Sequence, residues 1–202
     1  MKNFIICIIF IGVFCTSTTI KAQEEAGTTS SVGSNLRAFE LGDNILSAGV
    51  GVGGTFGAYK TTSQTPALSI AYERGMWELG EGVLGLGGYI GYKAYTNRFT
   101  DFSVTYEQKW SYTIIGASLA YHHDIFNNAK IDPYAGLLLA MRFLKYTDNY
   151  HHLTGVKPKY NNSDLTFSVY LGLRYYVSPN IGIFGQLGYG ISYFTLGVNF
   201  RL

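Results

Sequence analysis

Apolar and polar residues alternate with a period of two through most of the chain. Leu46, Ala48, Val50 and Val52 alternate with serine and glycine, and 194–202 repeats the pattern at the other end. Successive side chains of a strand point to opposite faces, so this period predicts strands with one apolar face and one small or polar face. Eight such runs are present, and no segment has a convincing helical stripe.

The face opposite the large aliphatic residues consists mostly of Gly, Ala and Ser, whereas a water-facing strand surface usually carries Lys, Glu and Thr. Small residues suit the interior of an eight-stranded barrel, which is only wide enough for its own side chains. A closed barrel also pairs every backbone group, as hydrocarbon requires. We therefore predict an all-β, eight-stranded antiparallel up-and-down transmembrane β-barrel over 44–202. A soluble, lipocalin-type ligand-binding barrel is the structural alternative.

The polar residues within these runs fall mainly on the small-residue face. An Arg or Lys facing lipid costs about 2–4 kcal/mol at the bilayer midplane, so we expect these side chains to point into the lumen. We expect Glu73 and Arg174 to lie close together, because a buried charge needs a partner. The predicted lumen polar network is Glu73, Lys93, Arg142, Arg174 and Gln186, and Arg201 shares its face.

Two groups of residues mark the predicted ends of the strands. Arg74, Lys109 and Lys145 have the apolar parity but sit where long basic side chains can reach lipid headgroups. Aromatic residues also cluster there, as in interfacial girdles. One rim is predicted to hold Trp77, Tyr121, Phe126, Tyr134 and Tyr175, and the other Tyr59, Tyr92, Tyr95, Trp110, Tyr112, Phe143 and Tyr146.

The start of the chain has the three parts of a secretory signal peptide. Lys2 precedes an apolar run at 4–14, and Ala22 is a small residue at the expected cut, which gives a signal peptide at 1–22. Both cysteines lie in it, so the mature chain has no thiol chemistry. The cut also lowers 15 basic residues to 13, equal to the 13 acidic ones, which gives no electrostatic basis for nucleic-acid binding.

The remaining segments follow from the strand pattern. Residues 23–43 have no sustained period and are predicted to be a flexible N-terminal periplasmic segment. An even number of strands leaves both termini in the periplasm. The predicted external loops are Tyr59–Thr65, Asn97–Gln108, Thr147–Ser163 and Gly190–Ser192.

The C-terminal stretch 175–202 resembles the small eight-stranded outer-membrane barrels of the OmpA/OmpX type, and especially the outer-membrane β-barrel domain proteins of Bacteroidota-like bacteria. Its last strand resembles the C-terminal insertion signal read by the barrel-assembly machinery, with Leu202 where that signal usually ends in Phe. The resemblance implies a monomer in the outer membrane of a Gram-negative bacterium, in contact with lipids including lipopolysaccharide. The signal residues are Phe194, Leu196, Val198, Phe200 and Leu202.

Histidines are the remaining candidates for chemistry. His151 and His152 lie in the longest predicted loop, where their spacing specifies no metal coordination shell. His152 with Thr154 is similar to the His-x-Ser arrangement of the lipid A deacylase, but with Thr in place of Ser. His122 and His123 are interpreted as interfacial polar residues. We predict no catalytic residue, no metal and no cofactor.

These observations favour a non-enzymatic integral outer-membrane barrel, acting as a structural or surface-interaction scaffold that presents extracellular loops. The lumen charges favour structural plugging over a conduction path. Two alternatives of other classes stay open: a narrow channel for small solutes and a lipid A-modifying barrel enzyme.

Overall fold

The protein is made of antiparallel strands that follow one another along the chain. The computed structural model describes residues 37–54, 63–101, 104–149 and 161–202. The predicted signal peptide and residues His151, His152 and Thr154 lie outside them. The strands are β1 Asn44–Val52, β2 Ser63–Gln64, β3 Ala67–Leu79, β4 Gly82–Asp101, β5 Val104–His123, β6 Ile131–Asp148, β7 Asn161–Tyr176, β8 Ile181–Tyr189 and β9 Phe194–Arg201.

Backbone hydrogen bonds join eight of the described strands into a closed ring. Each of β3 to β8 pairs with its sequence neighbour, and β1 pairs with both β3 and β9. Strand β2, which the sequence pattern missed, pairs with β4 alone. The prediction of an eight-stranded antiparallel up-and-down barrel is confirmed.

The strands are staggered as they pass around the ring. From Ala48 in β1, successive Cα partners through β3, β4, β5 and β6 lead to Leu165 in β7. In the other direction, through β9 and β8, they lead to Tyr175 of the same strand. These endpoints are ten residues apart, and such a stagger forces the strands to tilt against the barrel axis.

The two faces of the barrel wall are reversed relative to a soluble protein. Leu86, Leu139 and Val198 point outward with 41%, 54% and 39% of their surface exposed, whereas Asn199 is fully buried inside. Outward apolar side chains occupy alternate positions of β7 from Leu165 to Tyr175, a length close to the ~9–11 residues with which a tilted strand crosses hydrocarbon. We call this outward apolar surface the belt.

The strands differ in length, and the longer strands project at one end of the barrel. Strands β4 to β7 continue beyond the short strands β1, β8 and β9. We call this the hairpin end, and we call the opposite end, with residues 37–43 and Leu202, the terminal end. The segment Asn97–Gln108, predicted as a loop, is instead mostly strand and pairs to Asp101↔Val104. Beyond the belt, both faces of a sheet meet polar surroundings. The alternation of apolar and polar residues therefore disappears there, although the backbone hydrogen bonds between the strands continue.

The predicted turn Gly190–Ser192 lies between β8 and β9, whereas residues at the ends of the two other predicted loops belong to strands. Thr147 belongs to β6 and Ser163 to β7, while Ser63 and Gln64 form β2. Every described residue belongs to one compact unit, Asn35–Leu202. In the described parts of the chain, no helix is long and apolar enough to cross a membrane.

Replacing an outward residue at the middle of the belt tests the assignment of faces. Leu139→Arg should lower the free energy of unfolding in lipid vesicles by about 2–4 kcal/mol, because it places a cation at mid-depth. Thr147→Arg, outward on the same strand but beyond the belt, should cost about 0–1 kcal/mol. Urea titration of the vesicle-inserted protein measures both. Equal costs would show that Leu139 does not face hydrocarbon.

Candidate functional site

Four ionisable side chains meet inside the barrel near the terminal end. Glu73, His122, Asp132 and Arg174 come from β3, β5, β6 and β7, and at most 8% of any of them is exposed. His122 Nε2 lies 2.9 Å from Glu73 Oε1, and Nδ1 lies 2.8 Å from Asp132 Oδ1. Arg174 Nη1 donates to Asp132 Oδ2 at 3.2 Å, and Nη2 donates to Glu73 Oε2. We call these residues the quartet.

The quartet forms a closed hydrogen-bonded ring in which charges can balance. Each nitrogen of His122 faces a carboxylate oxygen, so both contacts are hydrogen bonds only if a proton lies between the atoms of each pair. A neutral imidazole supplies one of these two protons, so His122 and the two carboxylates together hold one more. The positive charge of Arg174 then balances the negative charge that remains. The quartet as a whole is neutral, which removes most of the cost of burying separate charges.

The β-register brings these residues together. Asp132 and Arg174 are directly opposite partners on β6 and β7, and their side chains share the lumen face. Small residues supply the room: a Cβ at Gly85 would overlap the Glu73 carboxylate, and one at Gly172 would overlap the Tyr134 ring. Glycines on the lumen face thus make room for its few large polar groups.

The segment before β1 covers the quartet from the terminal end. Phe39 is 3% exposed, and its ring stacks on His122 with centroids 3.9 Å apart. Arg201 holds this segment, since Nη2 donates to the Ala38 carbonyl and lies 3.5 Å from Asp43 Oδ2. The Gly42 amide donates to the Gly75 carbonyl at 2.9 Å. Residues 37–43, predicted to belong to a flexible segment, are therefore bound to the barrel mouth.

A lysine side chain occupies the described lumen toward the hairpin end. Lys93 is 1% exposed, and its ammonium donates to the carbonyls of Gly53, Gly54 and Ile191, the last two at 2.8 and 3.5 Å. Tyr95 Oη also donates to the Gly54 carbonyl at 2.9 Å. Gly53 and Gly54 have φ of 74° and 75°, a backbone region that glycine adopts without strain. The chain can therefore turn its carbonyls toward the cation.

A small cavity of about 80 Å³ with a mixed polar and apolar lining separates these two ends. Its lining includes five serines, four tyrosines, Glu73, Arg174 and Gln186, with Leu138 and Ile191 among its apolar members. Tyr134 Oη donates to Gln186 Oε1 at 3.4 Å, which links the cavity to the quartet. A cavity of this size has room for a few water molecules.

The predicted network is thus distributed over three places. Glu73 and Arg174 are ion-paired in the quartet, with Gln186 beside it in the cavity, while Lys93 closes the opposite end. Arg142 lies apart toward the hairpin end, where its Nε donates to Asp164 Oδ1 at 3.2 Å.

Several sequence-based assignments need correction. His122 is buried in the quartet rather than interfacial, and Tyr134, Tyr95 and Tyr112 are inside the barrel at 7%, 3% and 3% exposure rather than in an outer girdle. All four have lumen parity on their strands. His122 already lies on the small-residue face of its predicted strand, and extending the predicted strands would have placed the three tyrosines correctly. Asp132 was missed for the same reason, because the pattern began its strand at Gly136.

The residues of the C-terminal pattern all point outward. They line one face of β9 and the residue after it, next to β1 and β8. Phe194, Leu196, Val198, Phe200 and Leu202 are 38%, 55%, 39%, 41% and 71% exposed.

The quartet is poorly suited to acid–base catalysis. A histidine that acts as a general base must have a free ring nitrogen within reach of the proton it removes. Both nitrogens of His122 are occupied by carboxylates, and Phe39 covers the ring. Within the described residues, no three His, Cys, Asp or Glu side chains are grouped so that they could hold a metal ion.

Comparison with solved structures finds small outer-membrane barrels. The chain is similar to Ail, the attachment invasion locus protein of Yersinia pestis, in complex with the heparin analogue sucrose octasulfate (TM-score 0.48, 15% identity, 81% of this chain and 100% of that chain). It is also similar to the N-terminal β-barrel domain of Pseudomonas aeruginosa OprF (0.47, 15%, 80% and 98%) and to Neisserial surface protein A (0.45, 16%, 79% and 95%). No family model and no curated protein matches the sequence.

The closed antiparallel ladder and the reversed burial of its two faces define the class independently of these similarities. The chain has the fold of a small eight-stranded transmembrane β-barrel, with side chains and backbone filling most of its lumen.

Neutralising one member of the quartet should be far more costly than neutralising an exposed carboxylate. Glu73→Gln leaves Arg174 and His122 with one carboxylate between them, and we expect a loss of about 3–5 kcal/mol in the free energy of unfolding. Glu78→Gln is the matched control, since Glu78 is 63% exposed and 3.8 Å from Arg37, and should cost less than about 1 kcal/mol. Urea unfolding of the vesicle-inserted variants compares them. Similar small losses would mean that the quartet contributes little to stability.

Proposed function

We propose that this protein is an integral outer-membrane barrel of a Gram-negative bacterium that acts as a sealed, non-enzymatic scaffold presenting a surface outside the cell. Two observations together support this proposal: the outward apolar belt, and the bound side chains that occupy the lumen near both ends. The belt requires a lipid environment, and the occupied lumen argues against the passage of solutes through the barrel.

The belt supports a membrane location over a soluble ligand-binding barrel. Contiguous apolar surface on a soluble monomer rarely exceeds a few hundred Å². Here the outward positions of β7 and β8 are almost all large and apolar, including Leu171 and Leu187 at 65% and 62% exposure. A lipocalin-type barrel also needs an apolar interior for its ligand, whereas this interior holds the quartet and Lys93.

The arrangement of the lumen favours a sealed barrel over a narrow channel. A solute moving along the axis would have to displace Phe39, part the quartet, and then displace the contacts of Lys93. Separating the quartet leaves buried charges without partners, which costs several kcal/mol.

The same arrangement favours a structural role over lipid A modification. Acyl-transfer chemistry needs a nucleophile within hydrogen-bond reach of a base, and His122 has no free ring nitrogen for that task. We expect cells with and without this protein to have the same lipid A composition by mass spectrometry.

The position of the two chain termini suggests how the barrel is oriented in the membrane. We infer that the terminal end faces the periplasm, after export directed by a signal peptide at 1–22, and that the segment 23–43 belongs to the periplasmic side. The hairpin end then faces outward, where β4 to β7 rise above the short strands and present a sheet beyond the membrane. Lipopolysaccharide and other outer-membrane lipids surround the belt of a monomeric barrel.

A first experiment tests the location and the sealed lumen together. Membrane fractions should contain the protein in the outer membrane, and unheated samples should migrate differently from heated ones in a denaturing gel because the closed ladder resists detergent. In planar bilayers the purified protein should give no steady conductance, with an open porin as the positive control. Recovery in the aqueous fraction would reject the membrane proposal, and reproducible conductance steps would reject the sealed lumen.

A second experiment tests the proposed role of the last strand in recognition by the barrel-assembly machinery. Replacing Phe200 and Leu202 with Ser should lower the heat-modifiable fraction in cells severalfold. The matched control replaces Ile181 and Ile183 with Ser, which removes outward apolar side chains from β8 at 44% and 52% exposure. Equal losses in the two variants would indicate an effect of membrane burial rather than recognition of the C-terminal sequence.

A further inference from the structure

A groove crosses the outer wall of β4 to β7 at the border between the belt and the hairpin end. Its volume is about 690 Å³, and its lining changes from aromatic and apolar to polar and basic. Tyr92 and Phe143 lie on the belt side. The remaining lining residues are Lys109, Ser111, Thr113, Leu144, Lys145, Thr147, Asn161, Asn162 and Ser163.

The two lysines of this groove are neighbours on the outer face. Lys109 is the Cα partner of Thr147, and Lys145 is the partner of Ser111, so the lysines are diagonal neighbours across β5 and β6. Such positions are about 7–8 Å apart, close enough for two flexible ammonium groups to contact one phosphate. Both side chains are exposed, and in the described structure no carboxylate is within ion-pairing distance of either.

The position of this pair relative to the belt indicates its surroundings. Lys145 follows two residues after Phe143 on the same outward face, and Ile115 and Met141 continue that face toward the middle of the belt. Lysine stems of this kind lie along apolar surface while the ammonium reaches the headgroup layer. Ser111, Thr113 and Ser163 add hydroxyl groups at the same level.

Both ends of the barrel carry charges of both signs among their described residues. At the terminal end, Arg74 on β3 and Lys130 before β6 are exposed, as are Glu78 and Glu81.

The hairpin end has the ion pair of Arg98 with Glu107. In addition, Lys109 and Lys145 place two neighbouring cations on the outward face of β5 and β6, directly beyond the belt. This pair of cations at the level of the headgroups is the feature that favours a phosphorylated ligand.

We infer that the groove binds the phosphorylated headgroup of lipid A, with Lys109 and Lys145 holding one phosphate between them and Tyr92 and Phe143 packing against the adjoining acyl region. This inference rests on the proposed function, because it needs the hairpin end to face the outer leaflet. Two lysines beside a lipid phosphate contribute enough electrostatic attraction for about a thirtyfold change in affinity.

The test measures retention of lipid A by the purified, folded full chain in detergent micelles, using native mass spectrometry over a range of lipid concentrations. The wild type should bind bisphosphorylated lipid A and bind its dephosphorylated form about thirtyfold less tightly. The variant carrying Lys109→Gln and Lys145→Gln should lose the same factor. Arginine at both positions should retain binding, and Arg74→Gln, which removes an outward cation at the other end, should leave it unchanged.

Three results would overturn the inference: glutamine variants that bind lipid A like the wild type, equal weakening by Arg74→Gln, or displacement of lipid A by excess inorganic phosphate, which would indicate a site for free anions. A heat-dependent gel shift for every variant shows that it has folded. Failure of the wild type to fractionate with the outer membrane would instead reject the proposed function itself. Normal fractionation with unaltered lipid binding in the glutamine variants would reject this site alone.

Discussion

Inside a bilayer, every backbone N–H and C=O group needs a partner within the protein, because hydrocarbon offers none. Closure of the ring by β1 with β9 meets this constraint, and the remaining architecture follows from it. A ring of eight strands with a ten-residue stagger has a narrow interior, so the lumen positions must be mostly small. The outward positions are then left for large aliphatic side chains. The reversed distribution of residues is thus a consequence of closure in lipid rather than a separate property.

A narrow interior also determines how charge can be buried there. An isolated carboxylate in the lumen would be costly, whereas four groups from four strands balance one another's charges. Because Glu73, His122, Asp132 and Arg174 come from β3, β5, β6 and β7, their contacts also tie non-adjacent strands across the barrel. The ladder joins neighbours around the wall, and the quartet joins opposite parts of it. Glycines such as Gly85 and Gly172 are the positions that make this possible.

Sequence periodicity was sufficient for the parts of the fold that contact lipid. The outward position of Leu86, Leu139 and Val198 follows from the alternation together with the small residues on the opposite face, which indicate a crowded lumen. The pattern fails where both faces are polar, which is why the ends of β4 and β5 between Asn97 and Gln108 are predicted to be a loop. It also fails for Phe39, because a segment that packs into a barrel mouth has no period of its own. Parity identified Glu73 and Arg174 as a pair, but their connection through His122 and Asp132 depends on a register that a single sequence does not specify.

The two closures of the lumen use different parts of the chain. At the terminal end the closure combines strand side chains with the segment before β1, so displacing residues 37–43 would still leave the quartet in place. At the hairpin end a lysine binds backbone carbonyls of the two glycines that follow β1 and of Ile191 in the turn between β8 and β9. Lumen side chains at both ends are thereby committed to holding the barrel together, and the central cavity is too small for more than a few waters. Under the proposed function, any action of this protein on another molecule takes place at its outer wall and at the hairpin end.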